Sequence, residues 1–206
     1  MVFGHPVNKT LQYNMFKNNV KLINFRISLI EEEINEFYDA CNKLDRIETL
    51  DALCDTLYVV YGACHVFGIS CDMLMACNSD NIATNKKNMS DDLITKLNIL
   101  KQVDNMHDII FALNNIINNV YEIGVEFNMN IELGFDEVHK SNMSKVCKSE
   151  VEANTTVEWY KTNNAKYDNP SYRISDDGNY WIIYDATTSK ILKSICFVLP
   201  KLDSFV

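Results

Sequence analysis

Nine carboxylates stand between residues 31 and 55: Glu31, Glu32, Glu33, Glu36, Asp39, Asp45, Glu48, Asp51 and Asp55. Only Lys43 and Arg46 oppose them, so this window holds a balance of −7 in a chain whose total is −9. Glu32 and Glu36 are four apart, Glu33 and Glu36 three apart, and Asp51 and Asp55 four apart, which makes each pair neighbours on a helix surface. Like charges at such spacing repel and weaken an isolated helix. Convergent carboxylates cannot all ionise in a low-dielectric site unless a cation offsets them. Oxygen donors of this kind select Mg²⁺, with Mn²⁺ the alternative. Mg²⁺ prefers a few carboxylates plus water and substrate phosphates to an all-protein cage. The chemistry implied is metal-assisted attack on a phosphoanhydride. The plainer reading is a solvated acidic face with Asp51 as a helix-start charge, since charge runs usually lie in water.

The elements that must position these acids follow from apolar spacing. Phe16, Val20, Ile23, Ile27, Ile30, Ile34, Phe37 and Cys41 recur at steps of three and four, which predicts a helix from about Tyr13 to Lys43. Leu22, Phe25 and Leu29 form a second stripe that continues as Glu32 and Glu36, so acids take over positions used for apolar contact. A second helix is predicted from about Ile47 to Gly68, apolar nearly all round from Leu57 onward and therefore buried. The short connection between the two helices favours antiparallel packing, with the acids of each facing the other. The polar stretch 78–91 reads as a loop, and further helices are expected over about 91–103, 107–129 and 135–145. Tyr172–Ser175, Tyr180–Tyr184 and Ile191–Val198, with Asp176-Asp177-Gly178 as a turn, predict strand–turn–strand–turn–strand.

The fold class expected is mainly α, a helical bundle over 1–150 with a small antiparallel β extension, hairpin or meander, over 151–206. An offset of 60 relates Ala52, Leu53, Val60, Tyr61 and Phe67 to Ala112, Leu113, Val120, Tyr121 and Phe127. A degenerate second half over about 91–135 would follow, with Phe111 and Asn115 standing where the first copy has Asp51 and Asp55.

Composition excludes several classes. Acidity argues against general nucleic-acid binding. No apolar run is long enough for a transmembrane helix, and the N-terminus lacks the regions of a signal peptide. Seven cysteines without a Cys-x-x-Cys pair fit a reducing, cytoplasmic setting. Four scattered histidines give no zinc pattern, and six separated glycines give no phosphate-cradling loop.

Leu29-Ile-Glu-Glu-Glu-Ile-Asn-Glu36, Leu53-Cys-Asp-Thr-Leu-Tyr-Val-Val-Tyr-Gly62 and Phe135-Asp-Glu-Val-His-Lys-Ser-Asn-Met-Ser-Lys145 resemble, in that order, the all-α nucleoside triphosphate pyrophosphohydrolases. That superfamily includes MazG, the dimeric dUTPases and phosphoribosyl-ATP pyrophosphohydrolase, and the likeness is greatest to the MazG-like branch. The resemblance implies Mg²⁺ held by Glu33, Glu36 and Asp55, with Glu32 as the glutamate that activates the attacking water. Where the family's Glu-x-x-Asp begins, this chain has Ala52. Asp51 lies four before Asp55 and offers itself from the same side, while Glu48-x-x-Asp51 satisfies the spacing one turn too early. The Ser141–Lys145 block would bring Asn142 and Lys145, with Lys140, to substrate phosphates; otherwise these cations complement a helix C-terminus.

About 60 residues separate the second and third blocks, more than the simple family pattern has. The resemblance therefore implies a homo-oligomer, a dimer as in related enzymes, or an internal pseudo-dimer. The expected activity is hydrolysis of a nucleoside triphosphate, dUTP first, to the monophosphate and pyrophosphate in nucleotide-pool sanitation. The rival expectation is a non-catalytic interaction protein that keeps the bundle, has lost full metal ligation at Ala52, and works through Tyr180, Trp181 and Tyr184 in its tail. Against that, the same aromatics can simply pack the hairpin.

Overall fold

The computed structural model describes residues 2–4, 6–78, 89–163 and 166–206. As expected it is mainly α with a small antiparallel sheet: eight helices and two strands lie among the described residues. They form two compact units, Val7–Asp136 with Leu202–Val206, and Met1–Pro6 with Glu137–Lys201.

The first unit holds α1 (Met15–Asn18), α2 (Val20–Lys43), α3 (Arg46–Phe67), α4 (Cys71–Asn78), α5 (Met89–Leu100), α6 (Met106–Glu126) and the start of α7 (Ile131–Met143). Two helical hairpins, α2–α3 and α5–α6, pack with α3 against α6 and α2 against α5. The long first helix expected from Tyr13 is interrupted at Asn19, whose backbone (φ −150°, ψ 48°) leaves the helical region. Ile23, Ile30, Ile34 and Phe37 of the expected stripe are fully buried, whereas Val20 at its start is exposed.

Leu44 turns the chain in the left-handed region (φ 57°), and the Asp45 carboxylate accepts from the Glu48 N–H at 3.1 Å, capping α3. The connection is thus two residues long, which brings α3 straight back along α2. On α3, Leu50, Leu53, Leu57, Val60, Ala63, Val66 and Phe67 are buried, as a helix apolar all round requires. Each of these side chains other than Ala63 contributes about 1.5–3 kcal/mol.

The end of α3 is tied down by the segment before α1. Asn8 N–H donates to the His65 carbonyl (3.0 Å) and Gln12 N–H to the Phe67 carbonyl (2.9 Å), which satisfies carbonyls that a helix end otherwise leaves open. Gly68 (φ +71°) closes the helix, and a Cβ there would stand 1.9 Å from the Thr10 carbonyl oxygen. Gly68→Ala is therefore expected to cost about 2–4 kcal/mol, the left-handed penalty plus displaced backbone. Gly178→Ala, at φ +74° with open space around it, should cost only about 1–2 kcal/mol. Denaturant unfolding of the two variants checks the contrast.

Helix α4 was not expected, and the predicted loop 78–91 lies for the most part outside the described residues; its last residues, from Met89, already belong to α5. Helices α5 and α6 match the periodicity, and on α6 Ile110, Leu113, Ile117 and Val120 are buried while Phe127, just beyond it, is half-buried. The last bundle helix, α7, starts four residues before the predicted Phe135.

In the second unit the stretch expected as a β extension opens with a helix, α8 (Glu150–Asn163), and only then forms β1 (Pro170–Ile174) and β2 (Trp181–Asp185). These pair antiparallel with Tyr172 opposite Ile183. Cys147, Ala153, Val157, Tyr160, Ile183 and Leu192 make the core here, with Tyr167, Tyr172 and Trp181 packed on it. Trp181 is thus a packing residue of the hairpin. The third predicted strand is a single bridge, Tyr184 with Ile191. Beyond it the donors go elsewhere: Ser194 N–H to the Lys145 carbonyl, Ile195 N–H to Thr156 Oγ1 and Val198 N–H to Ser144 Oγ. A strand whose N–H groups are spent on helix ends and hydroxyls cannot extend a ladder.

Candidate active site

The three consecutive glutamates of α2 part company. Glu31 turns to Lys101, the residue just past α5, whose Nζ donates to its carboxylate at 2.5 Å. Glu32 points to solvent, and Glu33 is half-buried. Glu33 has Asp55 as its strongest acidic neighbour, followed by Glu36, Glu32 and Asp51. Burial first, and these four charges second, push its pKa from 4.5 up to about 8. Glu36, more exposed, is also raised, by partial desolvation and then by Glu32, Asp55, Glu48 and Asp39. The sequence-predicted cluster of Glu32, Glu33, Glu36, Asp51 and Asp55 is therefore brought to one region of the α2–α3 hairpin.

The same register is marked seven residues further along. Arg26 on α2 lies against Gly62 on α3, where a Cβ would be 3.4 Å from its Nη1. Glu33 to Arg26 and Asp55 to Gly62 are equal steps in opposite chain directions, so the helices run antiparallel as the short connection demanded. Ala52, three residues before Asp55, is buried and brings no donor.

Among the described residues no three His, Cys, Asp or Glu side chains close into a ready-made metal cage. The all-oxygen donor set of these five side chains is of the type a hard divalent cation takes, with water completing its shell. The elevated Glu33 fits the same picture, since an opposite charge is what its surroundings lack.

The start of α7 braces α3 beside the acids. Phe135 meets the rings of Tyr58 and Tyr61 at centroid distances of 6.0 and 5.7 Å. Gly134 lets this helix approach closely, because a Cβ would stand 3.0 Å from Cys54 Sγ and 3.1 Å from Leu50 Cδ1. Burial and the neighbouring Asp51 and Asp55 carboxylates push the Cys54 thiol up to about 12, so it is a packing group and no nucleophile.

The predicted phosphate contacts lie in the other unit. The Lys145 ammonium donates to Asn142 Oδ1 at 2.5 Å, with Asn142 buried. Exposed Lys140 pairs with Glu137 at 2.5 Å, one turn before it. Sequence reasoning missed Arg26, which is 3% exposed, with Nε and Nη2 buried and lacking any hydrogen-bond partner. The signal was available: Arg26 sits three after Ile23 and four before Ile30, on the apolar stripe itself.

No described helix is long and apolar enough to cross a membrane. A family model described as phosphoribosyl-ATP pyrophosphohydrolase matches residues 2–80, the stretch that carries all five clustered carboxylates. An uncharacterized protein of Acanthamoeba polyphaga mimivirus is 36% identical over 222 aligned residues, covering 96% of this chain and 88% of that one. No solved structure matches. The chain belongs to one family with the mimivirus protein, and its α2–α3 hairpin lies within the stretch that matches phosphoribosyl-ATP pyrophosphohydrolase, a member of the all-α nucleoside triphosphate pyrophosphohydrolase superfamily.

Proposed function

We propose that this protein is a Mg²⁺-dependent nucleoside triphosphate pyrophosphohydrolase, with dUTP the first substrate to try and nucleotide-pool sanitation its use. The observation that carries the reading is Glu33, half-buried and crowded by Asp55, Glu36, Glu32 and Asp51. Glu33, Glu36 and Asp55 would hold the metal, with Asp51 the candidate for the place that Ala52 leaves without a donor. Bound there, the ion supplies charge neutralisation for the phosphates, several kcal/mol of it in the transition state (about 3–4, order of magnitude).

The protein's own part is positioning and proton transfer. Water attacks the α-phosphorus, the bond to the bridging oxygen breaks, and pyrophosphate leaves with the electron pair. Glu32, exposed beside the cluster, takes the proton from the water. By the family resemblance Asn142, Lys145 and Lys140 are the proposed phosphate contacts, matching cations to a tail that carries about four negative charges. Oligomer formation, as a dimer or as an internal pseudo-dimer, is part of the same reading.

The experiment is a panel of the dNTPs, the NTPs and phosphoribosyl-ATP with Mg²⁺, scored for products. The expected outcome is equimolar monophosphate and pyrophosphate, with ¹⁸O from labelled water entering the monophosphate. Release of orthophosphate would contradict the reading. Absence of turnover across the panel would favour an interaction protein, which the missing donor at Ala52 would then explain.

A further inference from the structure

We infer that Arg26 reads the nucleobase of the substrate, donating Nε–H and Nη2–H together to a pair of acceptors on the base edge. The inference rests on the pyrophosphohydrolase reading and assigns a specificity residue to it.

Arg26 is the one residue of α2 whose placement contradicts its chemistry. It lies on the buried stripe between Ile23 and Ile30, 3% exposed, and two of its nitrogens lie buried without a hydrogen-bond partner. The ring of Phe25, 5.8 Å from the guanidinium carbon, supplies a cation–π contact but no lone pair. A buried guanidinium left in this state is strongly unfavourable unless something supplies acceptors. Burial accordingly lowers its pKa from the usual value, with no favourable charge offsetting the effect.

Its position says what could supply them. Arg26 is seven residues from Glu33 on α2, and Gly62, which it faces, is seven from Asp55 on α3. Two helical turns are about 10 Å along the axis, of the order of the length of a nucleoside measured from its α-phosphate. A triphosphate held at the carboxylates and laid along the α2–α3 seam would therefore bring its base to Arg26. Four residues around Arg26 are only partly enclosed. Leu22, Leu29 and Gly62 are only half-buried and Phe25 is 47% exposed. Gly62 keeps the guanidinium uncrowded from the α3 side, and the flanking apolar side chains suit the faces of a base.

The planar fork of arginine matches two adjacent acceptors, such as a ring carbonyl and its neighbouring nitrogen. Phosphate oxygens present a similar pair, so the test must separate base from tail. Wild type, Arg26→Met and Arg26→Lys are titrated with the α,β-imido analogue of dUTP, which cannot be cleaved at that position, and separately with tripolyphosphate, both with Mg²⁺. Thermal unfolding of each ligand-free protein is recorded in parallel.

The expected result is analogue binding weakened at least tenfold in Arg26→Met, and weakened also in Arg26→Lys, which keeps the charge but loses the fork. Tripolyphosphate binding stays within twofold of wild type, and the Tm of ligand-free Arg26→Met is equal to or above that of wild type. Four outcomes overturn the proposal. Equal loss of tripolyphosphate binding assigns Arg26 to the phosphates. A lower Tm in Arg26→Met makes it a structural residue. Unchanged analogue binding removes Arg26 alone and leaves the enzyme reading standing. Wild type that binds neither probe sinks the enzyme reading and Arg26 with it.

Discussion

Replacing Glu33 by Gln is expected to lower pyrophosphate release by about 10²-fold or more while making the metal-free protein more stable. The loss follows from removing a ligand of an ion that contributes several kcal/mol to the transition state (about 3 or more), each 1.36 kcal/mol being tenfold in rate. The gain follows from the site itself. Glu33 is half-buried beside Asp55, Glu36, Glu32 and Asp51, and a neutral amide of the same shape relieves both the desolvation and the repulsion. Partial exposure limits the gain to about 1 kcal/mol, or roughly 2–4 °C in Tm for a chain of this length. Steady-state turnover and thermal unfolding at pH 8.5 in EDTA test the two halves. A variant that loses stability together with activity would show Glu33 to be a structural group.

The second large effect is a metal-linked shift of stability with pH. Glu33 is raised in the fold from 4.5 to about 8. A carboxyl raised on folding contributes stability that is fully present below its unfolded pKa and is lost as pH climbs through the folded value. The metal-free protein should therefore lose stability between about pH 4.5 and 8 from this group. Mg²⁺ or Mn²⁺ needs the ionised form, so protons and metal compete, and stabilisation by metal must grow across the same window. At a hundredfold excess over Kd it should reach about 2.7 kcal/mol near pH 8.5, some 5–10 °C in Tm. At pH 5 it should be near zero. Scans with and without MnCl₂ at the two pH values read it directly, and equal shifts at both would exclude Glu33 as the linked group.

The sequence carried the acid constellation because its logic is local. Three- and four-residue spacings put Glu33 with Glu36 and Asp51 with Asp55 without any knowledge of the tertiary fold. The hairpin was legible too, since the apolar pattern carries the first helix to Lys43 and starts the second near Ile47, leaving only a short connection. What spacing could not reveal is which of three adjacent glutamates turns inward. That depends on which helix packs beside each face of α2, α3 beside Glu33 and the end of α5, with Lys101, beside Glu31.

Helix α8 escaped for a different reason. Its buried positions are Ala153, Thr156, Val157 and Tyr160, a stripe in which Ala153 and Thr156 carry little apolar surface and Thr156, Val157 and Tyr160 are weaker helix formers. Its start signal was present all the same. Ser149 Oγ accepts from the Glu152 N–H, and the Glu152 carboxylate accepts from the Lys148 N–H, close to a capping box. The shortened third strand reflects Ser144, Thr156 and Lys145 capturing its backbone donors, competition that no strand periodicity encodes. Arg26 was overlooked because a basic residue within an apolar stripe is normally taken to snorkel out, and here it does not.

If carboxylates of two consecutive helices hold the metal for phosphoanhydride hydrolysis, turnover must depend on both the ion and those side chains. The most direct measurement is pyrophosphate release from the panel's best substrate by wild type and Glu36→Gln, each in Mg²⁺ and in EDTA. Turnover is expected in wild type with Mg²⁺ only, with a loss of about 10²-fold or more in the variant. Equal turnover by Glu36→Gln, or turnover undiminished by EDTA, would contradict it.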